Sequence, residues 1–378
     1  MSFQIKNNFR FTLVFFTLLL SSFSYAQKNA KTYLKEAERK LEMGNYSGCL
    51  YYYNRFIELK PRDYKAYYKR GYARFKIDDN EGALEDFNKA LEIKSDYPDA
   101  YFGRGIMKDK LKDYTGAIED FTKIIELSPA FFESYLKRGI VKDKVGDFSG
   151  AVEDYKKASE LNPNDALAYF KRGLTKSKIE DYKGAIEDYT KAIDIQPDYA
   201  LAYQNRGAAK DEIEDFSGAM DDYKKAIELT PDYYNYFIRG KSNIKAKDYT
   251  KALNEYNKAI ELNPRDPESY YCRASIKFNL KDYDGALKDY DKTVELNPDY
   301  TNVYFNRALV KNKVHNDGDA LIDYNKALEY NAKDAEAYFN RGSVKFNLKD
   351  FKGGCEDWRK ARDLGYFEAE GFLRKYCR

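Results

Sequence analysis

Proline and glycine recur at one fixed spacing along this chain. Seven of the nine prolines fall in a single column with a period of 34 residues, interrupted by one interval of 33: Pro61, Pro129, Pro163, Pro197, Pro231, Pro264 and Pro298. A second column has the same period and holds Gly71, Gly105, Gly139, Gly173, Gly207, Gly240, Ala274, Ala308 and Gly342. Both columns lose one residue at the same place, between Pro231 and Gly240. Two columns that share a deletion indicate tandem repeats, which excludes an ordinary compact fold.

The period divides the chain into ten repeats and a short closing helix over 368–378. Each repeat predicts two helices: in 98–131, apolar residues from Tyr101 to Leu111 have helical spacing, Asp113 is a candidate N-cap, and Pro129 ends the second helix. Short connections predict that the two helices are antiparallel. The repeats are 30–63, 64–97, 98–131, 132–165, 166–199, 200–233, 234–266, 267–300, 301–334 and 335–368.

Small residues and rings alternate in further columns, which predicts how the helices pack. Alanine recurs in the second helix from Ala83 to Ala320, where it would let two backbones approach closely. Rings recur in both helices, from Tyr33 to Tyr338 in the first and from Tyr53 to Trp358 in the second. Aromatic residues make up 16% of the chain, which excludes disorder for most of its length.

The repeat 200–233 resembles a tetratricopeptide repeat in the spacing of Tyr203, Gly207, Ala219, Tyr223, Ala226 and Pro231. The resemblance covers about nine-tenths of the chain, and the atypical repeats 30–63 and 335–368 are at its ends, where caps are expected. It implies an all-α, right-handed α-solenoid of about ten helix-turn-helix repeats with a C-terminal capping helix. It also implies a concave groove, lined by first helices, that binds a peptide or a helix of another protein.

An arginine precedes the small-residue column in every repeat after the first, from Arg70 to Arg341, and each has an acid in the second helix, from Asp86 to Asp357. The antiparallel hairpin brings the two columns to similar height. We therefore predict a ladder of Arg–carboxylate pairs, within repeats or between neighbours. The alternative is a row of exposed arginines that binds anionic partners.

The predicted partner-binding groove holds a ring in seven of the ten repeats and a group of early lysines. A ribbon of part-exposed rings would suit a peptide or, alternatively, a carbohydrate of the cell wall. The lysines indicate an acidic partner segment. The alternatives are that the rings pack against the next repeat and that the lysines are merely solvated. The candidates are Tyr68, Phe102, Phe170, Phe237, Tyr271, Phe305, Phe339, Lys69, Lys137 and Lys171.

Residues 1–26 have the three parts of an export signal: the basic residues Lys6 and Arg10, an apolar run from Phe11 to Leu20, and small residues up to Ala26. The apolar run is short for a membrane span, so we expect cleavage, no integral membrane segment afterwards, and a periplasmic or extracellular protein. An uncleaved N-terminal anchor is the alternative. In an oxidising compartment, Cys355 and Cys377 could form a disulfide or remain free thiols.

The sequence carries no motif of a known catalytic or cofactor site. It lacks a glycine-rich phosphate loop, a paired-cysteine zinc spacing and an HExxH sequence, and its single histidine, His315, falls in a predicted turn. We therefore expect no enzyme activity, no metal and no cofactor. Lysine and arginine number 65 against 62 acids, a balance that gives no basic stripe for nucleic acid. The oligomeric state does not follow from the sequence.

Overall fold

The computed structural model describes residues 29–377, which form only α-helices and the turns that join them. The predicted export signal, residues 1–26, lies outside the described residues. None of the helices within 29–377 has the length and apolar character that a bilayer crossing requires. The chain divides into two compact units after Gln196, and each unit is described by itself.

In the N-terminal unit, consecutive helices pack as antiparallel pairs stacked one on the next, which is the arrangement of an α-solenoid. The first helix covers 29–42 within the described residues. The helices are α1 (29–42), α2 (Tyr46–Leu59), α3 (Tyr64–Lys76), α4 (Asn80–Ile93), α5 (Pro98–Lys110), α6 (Tyr114–Leu127), α7 (Phe132–Lys144), α8 (Phe148–Leu161), α9 (Ala166–Lys178) and α10 (Tyr182–Ile195).

The C-terminal unit repeats this pairing and ends in one unpaired helix. Its helices are α11 (Ala200–Glu212), α12 (Phe216–Leu229), α13 (Tyr233–Lys245), α14 (Tyr249–Leu262), α15 (Pro267–Asn279), α16 (Tyr283–Leu296), α17 (Asn302–Lys313), α18 (Asp317–Tyr330), α19 (Ala335–Asn347), α20 (Phe351–Asp363) and α21 (Glu368–Tyr376). The all-helical solenoid architecture predicted from the period is therefore confirmed within each unit.

Each second helix begins at a side chain that caps its first turn. The predicted N-cap Asp113 accepts a hydrogen bond from the backbone N–H of Gly116 at 3.0 Å, and Asp147 and Asp181 do the same in the next two repeats. Such a cap satisfies a backbone donor that the helix leaves unpaired. This column, which is aspartate in most repeats and asparagine at Asn45 and Asn316, therefore fixes where each hairpin turns back.

The turn between the two helices of a repeat contains a residue in the left-handed region. The residue is glycine at Gly146, with φ +84°. In other repeats it carries a side chain: Glu180 has φ +63° and His315 has φ +60°. Residues other than glycine disfavour this conformation because their Cβ atom approaches the following carbonyl oxygen. His315 is thus a turn residue on the surface.

The core of each repeat is a ring of the second helix packed against small residues. Tyr189 has no exposed surface, and neither does Ala185 on the same helix. A Cβ atom placed on Gly173, in the first helix, would come within 2.7 Å of the Tyr189 ring. The glycine column therefore exists because the ring of the second helix lies directly against the first-helix backbone.

The predicted Arg–carboxylate ladder is confirmed, and every pair lies within one repeat. Arg172 donates to Asp188 from Nε at 2.9 Å and from Nη2 at 2.5 Å. This bidentate contact recurs in most repeats. The arginine also lies over the first-helix ring, 5.4 Å from the centre of Tyr169. The pairs are Arg70–Asp86, Arg104–Asp120, Arg138–Asp154, Arg172–Asp188, Arg206–Asp222, Arg239–Glu255, Arg273–Asp289, Arg307–Asp323 and Arg341–Asp357.

A second cation, one helical turn after the arginine, joins each aspartate. Lys176 Nζ lies 2.9 Å from Asp188 Oδ2 and 3.3 Å from the carbonyl oxygen of Gly184. The aspartate is buried and is therefore compensated by two cations rather than one. The other members of this position are Arg74, Lys108, Lys142, Lys210, Lys277, Lys311 and Lys345. These cations belong to the structure and not to a binding surface.

Repeat 234–266 departs from this pattern at two positions. Its acid is Glu255 and contacts Arg239 through one hydrogen bond of 2.7 Å, while Asn243 occupies the second cation's place and donates to the Arg239 carbonyl instead. Within the part of the chain that the structure describes, Arg239 Nε is buried without a hydrogen-bond partner. This repeat also contains the one-residue deletion seen in the sequence.

The closing helix α21 packs on α20 through Ala369 and Leu373, which are both buried. The ring of Phe372 lies 5.2 Å from that of Trp358. Cys355, in the first turn of α20, is bonded to Cys377, the residue after α21, with their Cα atoms 5.7 Å apart. The disulfide therefore ties the C-terminal end of α21 to the last repeat.

Candidate partner-binding surface

The first helices of the N-terminal unit lie side by side and are linked by ion pairs between successive repeats. Lys144 of α7 contacts Asp109 of α5 at 2.6 Å, and Lys178 of α9 contacts Asp143 of α7 at 2.5 Å. The Thr175 hydroxyl also donates to Asp143 at 3.0 Å. We call the surface formed by α3, α5, α7 and α9 the first-helix face.

Two of the seven predicted docking rings are core residues. Phe170 and Phe237 are each only 5% exposed. Phe170 lies 5.8 Å from Tyr189, and Phe237 lies 5.8 Å from Tyr256, in each case the core ring of the same repeat. The structure does not support these two rings as partner-binding residues, because both are buried in the core of their own repeats.

The other five predicted rings, Tyr68, Phe102, Tyr271, Phe305 and Phe339, are half-buried, and their neighbours are other rings. The neighbour is commonly the aromatic residue that follows the second helix, just before the next first helix. Ring centres lie 5.3 Å apart for Tyr68–Tyr97, 5.5 Å for Phe102–Phe131, 4.9 Å for Tyr271–Tyr300 and 4.8 Å for Phe339–Tyr366. Phe305 lies 6.0 Å from Tyr324. Most of these rings therefore pack between successive repeats, and only part of their surface is accessible to a partner.

The three predicted groove lysines differ in their surroundings. Lys69 pairs with Glu38 of α1. Lys137 of α7 and Lys171 of α9 occupy the same position in adjacent repeats, and both are half-buried. Among residues 29–377, no carboxylate lies within ion-pair distance of either one. These two are therefore cations of the first-helix face that the fold leaves unpaired.

Aliphatic residues stand close to these lysines along the same helices. Ile140 and Leu174 each follow one of the lysines by three residues, and both are half-buried. Leu167, at the start of α9, is exposed. A cation flanked by apolar surface can bind a carboxylate that arrives with an apolar neighbour.

In the C-terminal unit, the first-helix position that Asp109 and Asp143 occupy in the N-terminal unit holds a buried acid. Asp211 of α11 accepts hydrogen bonds from the Tyr223 hydroxyl at 2.8 Å and from the Ser242 hydroxyl at 2.6 Å. Burial raises the pKa of Asp211, although both hydrogen bonds act in the opposite direction. Ser242 belongs to α13, so this carboxylate links successive first helices and is occupied internally.

The comparisons with known proteins agree with this architecture. The family model described as "TPR repeat" matches residues 75–108, 143–180, 178–210 and 240–281, and two models described as "Tetratricopeptide repeat" match 267–300, and 98–131 with 200–233. Together these models cover just over half of the chain. No curated protein sequence matches it.

Several solved structures are similar to the chain. A tetratricopeptide repeat protein from Parabacteroides merdae shares 19% identity, with 65% of this chain and 99% of that chain covered and a TM-score of 0.48. MamA from Desulfovibrio magneticus shares 23% identity, with 45% and 97% covered and a TM-score of 0.44. YrrB, described as a TPR protein with an unusual peptide-binding site, shares 25%, with 48% and 94% covered and a TM-score of 0.44. On the family models and the repeats described above, the chain belongs to the tetratricopeptide repeat family.

Proposed function

We propose that the protein is an exported, non-enzymatic scaffold that binds an acidic segment of a partner protein on the first-helix face of its N-terminal unit. The observation that carries the proposal is the pair of unpaired, half-buried lysines Lys137 and Lys171. Helical-repeat proteins of this kind bind partners on extended surfaces, so membership of the family supports a scaffold role.

Several other cations on this face are paired with carboxylates, which makes the two half-buried lysines without one informative. Lys144 and Lys178 neighbour the pair and are held by Asp109 and Asp143. A cation that loses part of its hydration without a partner carries a free-energy cost, and a carboxylate from another chain removes that cost. Two such cations in adjacent repeats favour a segment with two acidic residues.

Export is supported by two features at opposite ends of the chain. The segment from Met1 to Ala26 has the composition of a signal peptide, and Cys355–Cys377 is a disulfide of the kind that persists in oxidising compartments. Fractionation of cells that express the full chain tests this part. We expect the protein outside the cytoplasm without residues 1–26, and a chain retained in the cytoplasm would contradict it.

The alternative of carbohydrate binding needs exposed ring faces. The rings of Phe170 and Phe237 are buried, and those of Tyr68 and Phe102 are covered on one side by Tyr97 and Phe131. These observations favour a protein partner over a polysaccharide. An experiment that mutated Phe170 would report on the core and not on ligand binding.

Crosslinking in the native cell, followed by mass spectrometry, would identify the partner and the contact residues. Binding of that partner is then measured for the double variant Lys137→Glu with Lys171→Glu. We expect a loss of at least about tenfold in affinity, together with a salt dependence that the variant lacks. Reversal of two charges on second helices, Lys123→Glu with Lys157→Glu, is the matched control, because both lysines are exposed.

The control should bind like the unmodified protein. Equal loss in both double variants would mean that only net charge matters, and unchanged affinity in the first would exclude the lysine pair as the binding site. Crosslinks confined to second helices would also contradict the proposal.

A further inference from the structure

The outer surface of the closing helix α21 is apolar, although the end of a repeat array is normally polar. Phe367 is 86% exposed, Tyr376 is 41% exposed and Phe372 is 37% exposed. With Glu368, Gly371 and Lys375 they line a shallow depression of about 430 Å³. An exposed apolar patch with polar groups in it is typical of an interaction surface.

Only part of this surface also holds α21 in place: Phe372 and Tyr376 each lie with one side against rings of the last repeat, and their remaining surface is exposed. Ala369 and Leu373 make the buried contact with the last repeat, and the disulfide fixes the end of the helix. Phe367 has no ring partner among the described residues, so packing of the cap does not explain its position. The cap therefore has one face for the repeat and a second face that is open.

The open face is complementary to a second copy of itself. Glu368 and Lys375 lie at equal distances, each about 5 Å along the axis, from the midpoint between Gly371 and Phe372. If two α21 helices pack antiparallel around a two-fold axis at that midpoint, each Glu368 lies opposite the other copy's Lys375. The same patch then serves on both copies, as an isologous interface requires, and two reciprocal ion pairs fix its register.

Gly371 fits this arrangement and has no function in the single chain. A Cβ atom at this position would meet no other atom within 4 Å, and glycine is a poor residue for the interior of a helix. Beside a two-fold axis, however, it allows two helix backbones to approach closely. Phe372 lies on the other side of the axis and packs with one side against Phe339 and Trp358, so only its exposed 37% could meet the ring of the second copy.

The apolar surface continues beyond α21 onto the last repeat. The ring of Tyr376 lies 5.0 Å from Phe346, which lies 4.7 Å from Phe351 at the start of α20. Phe351 is itself exposed. This extension adds apolar area beside the helix pair, which alone would be small for a specific interface.

We propose that the protein dimerises through α21, whose outer face binds the α21 of a second copy in the antiparallel sense. The partner is assigned by the charge complementarity of Glu368 with Lys375 about the glycine. The interface does not include the lysines of the N-terminal unit. The dimer proposal can therefore be tested independently of the proposed scaffold function.

Sedimentation equilibrium of the disulfide-bonded full chain tests the dimer. We expect a reversible monomer–dimer equilibrium that Glu368→Lys and Lys375→Glu each weaken by about tenfold. The double variant should recover most of the affinity, because the reciprocal pairs form again with exchanged signs. Glu356→Lys and Lys333→Glu, which alter exposed charges outside the patch, are the controls and should leave the equilibrium unchanged.

A second variant separates loss of the interface from loss of the fold. Gly371→Gln replaces a poor helix former with a good one, so the cap should melt at the same or a higher temperature, while the larger side chain abolishes the dimer. A chain that stays monomeric up to the order of 100 µM would overturn the proposal and assign the face to a different protein. Single reversals without effect, or a double variant no better than either, would overturn it too.

Discussion

Removal of the Asp188 carboxylate tests whether the Arg–carboxylate ladder stabilises the solenoid. Asp188 accepts two hydrogen bonds from Arg172 and lies 2.9 Å from Lys176. The side chains are 3% exposed for the aspartate, 16% for the arginine and 18% for the lysine. In Asp188→Ala, two largely buried cations would therefore lose their counter-charge at once.

The expected cost is about 3–5 kcal/mol of unfolding free energy, the range found when one partner of a buried pair is removed. An exposed pair on the same unit provides the scale. Lys157 and Glu160 are 48% and 50% exposed, so Glu160→Ala should cost less than about 0.5 kcal/mol. The difference between the two variants comes from burial and not from the mere presence of an ion pair.

The measurement is urea unfolding followed by circular dichroism, combined with hydrogen exchange in α9 and α10. The exchange data are needed because long repeat arrays can unfold in parts, and a single global free energy is then not defined. Arg172→Ala and the double variant complete a cycle, for which we expect a coupling energy of about 1–3 kcal/mol.

Two results would refute this reasoning. One is an Asp188→Ala variant that loses no more stability than Glu160→Ala. The other is a cycle in which the costs of Arg172→Ala and Asp188→Ala simply add. Either would mean that the ladder is well solvated and does not hold the hairpin together.

Three further predictions follow from other parts of the structure. Glu180 has φ +63° at a position where the preceding repeat has Gly146, so Glu180→Gly should raise stability by about 0.5–1 kcal/mol and Gly146→Glu should lower it by about 1 kcal/mol, as measured by thermal melts. Burial raises the pKa of Tyr189 to about 12, so the unfolded chain loses this proton first. As the pH rises from about 10 to 12, the stability that this one group contributes should fall by up to about 1.4 kcal/mol per pH unit, and a Tyr189→Phe variant whose melting temperature falls just as steeply would contradict it. Cys377→Ser opens a link between residues 22 apart and should cost the cap about 3 kcal/mol, seen as faster hydrogen exchange in α21 than in α20.

The periodic features of the fold could be predicted from the sequence because each is repeated many times. The N-cap at Asp113, the core ring of Tyr189 and the pair Arg172–Asp188 all belong to columns whose spacing the hairpin fixes. A partner 16 residues away is at the same height in every repeat, so one geometric argument covers all of them. Independent repetition makes such an inference robust against irregularities such as the shortened repeat 234–266.

The surface could not be predicted in the same way. Phe170 is buried whereas Phe102, at the same position two repeats earlier, is half-buried, so the repeat spacing does not reveal which rings are exposed. The pairs Lys144–Asp109 and Lys178–Asp143 join residues 35 apart, so they depend on how one repeat stacks on the next. A recurrent lysine with an acid 35 residues before it is the signal that could have identified them. The left-handed turn could not be predicted either. After the first repeat of the N-terminal unit, Gly146 is the only glycine at this turn position.

Repeat 234–266 has a consequence for how the C-terminal unit opens. In a linear array a repeat is stabilised only by itself and its neighbours, so cooperativity is interrupted where one repeat is weak. With a single hydrogen bond between Arg239 and Glu255 and no second cation, α13 and α14 should separate at a lower temperature than α15 to α20. Partial unfolding would then leave the last repeats folded, with their disulfide-bonded end intact, while α13 and α14 open and close.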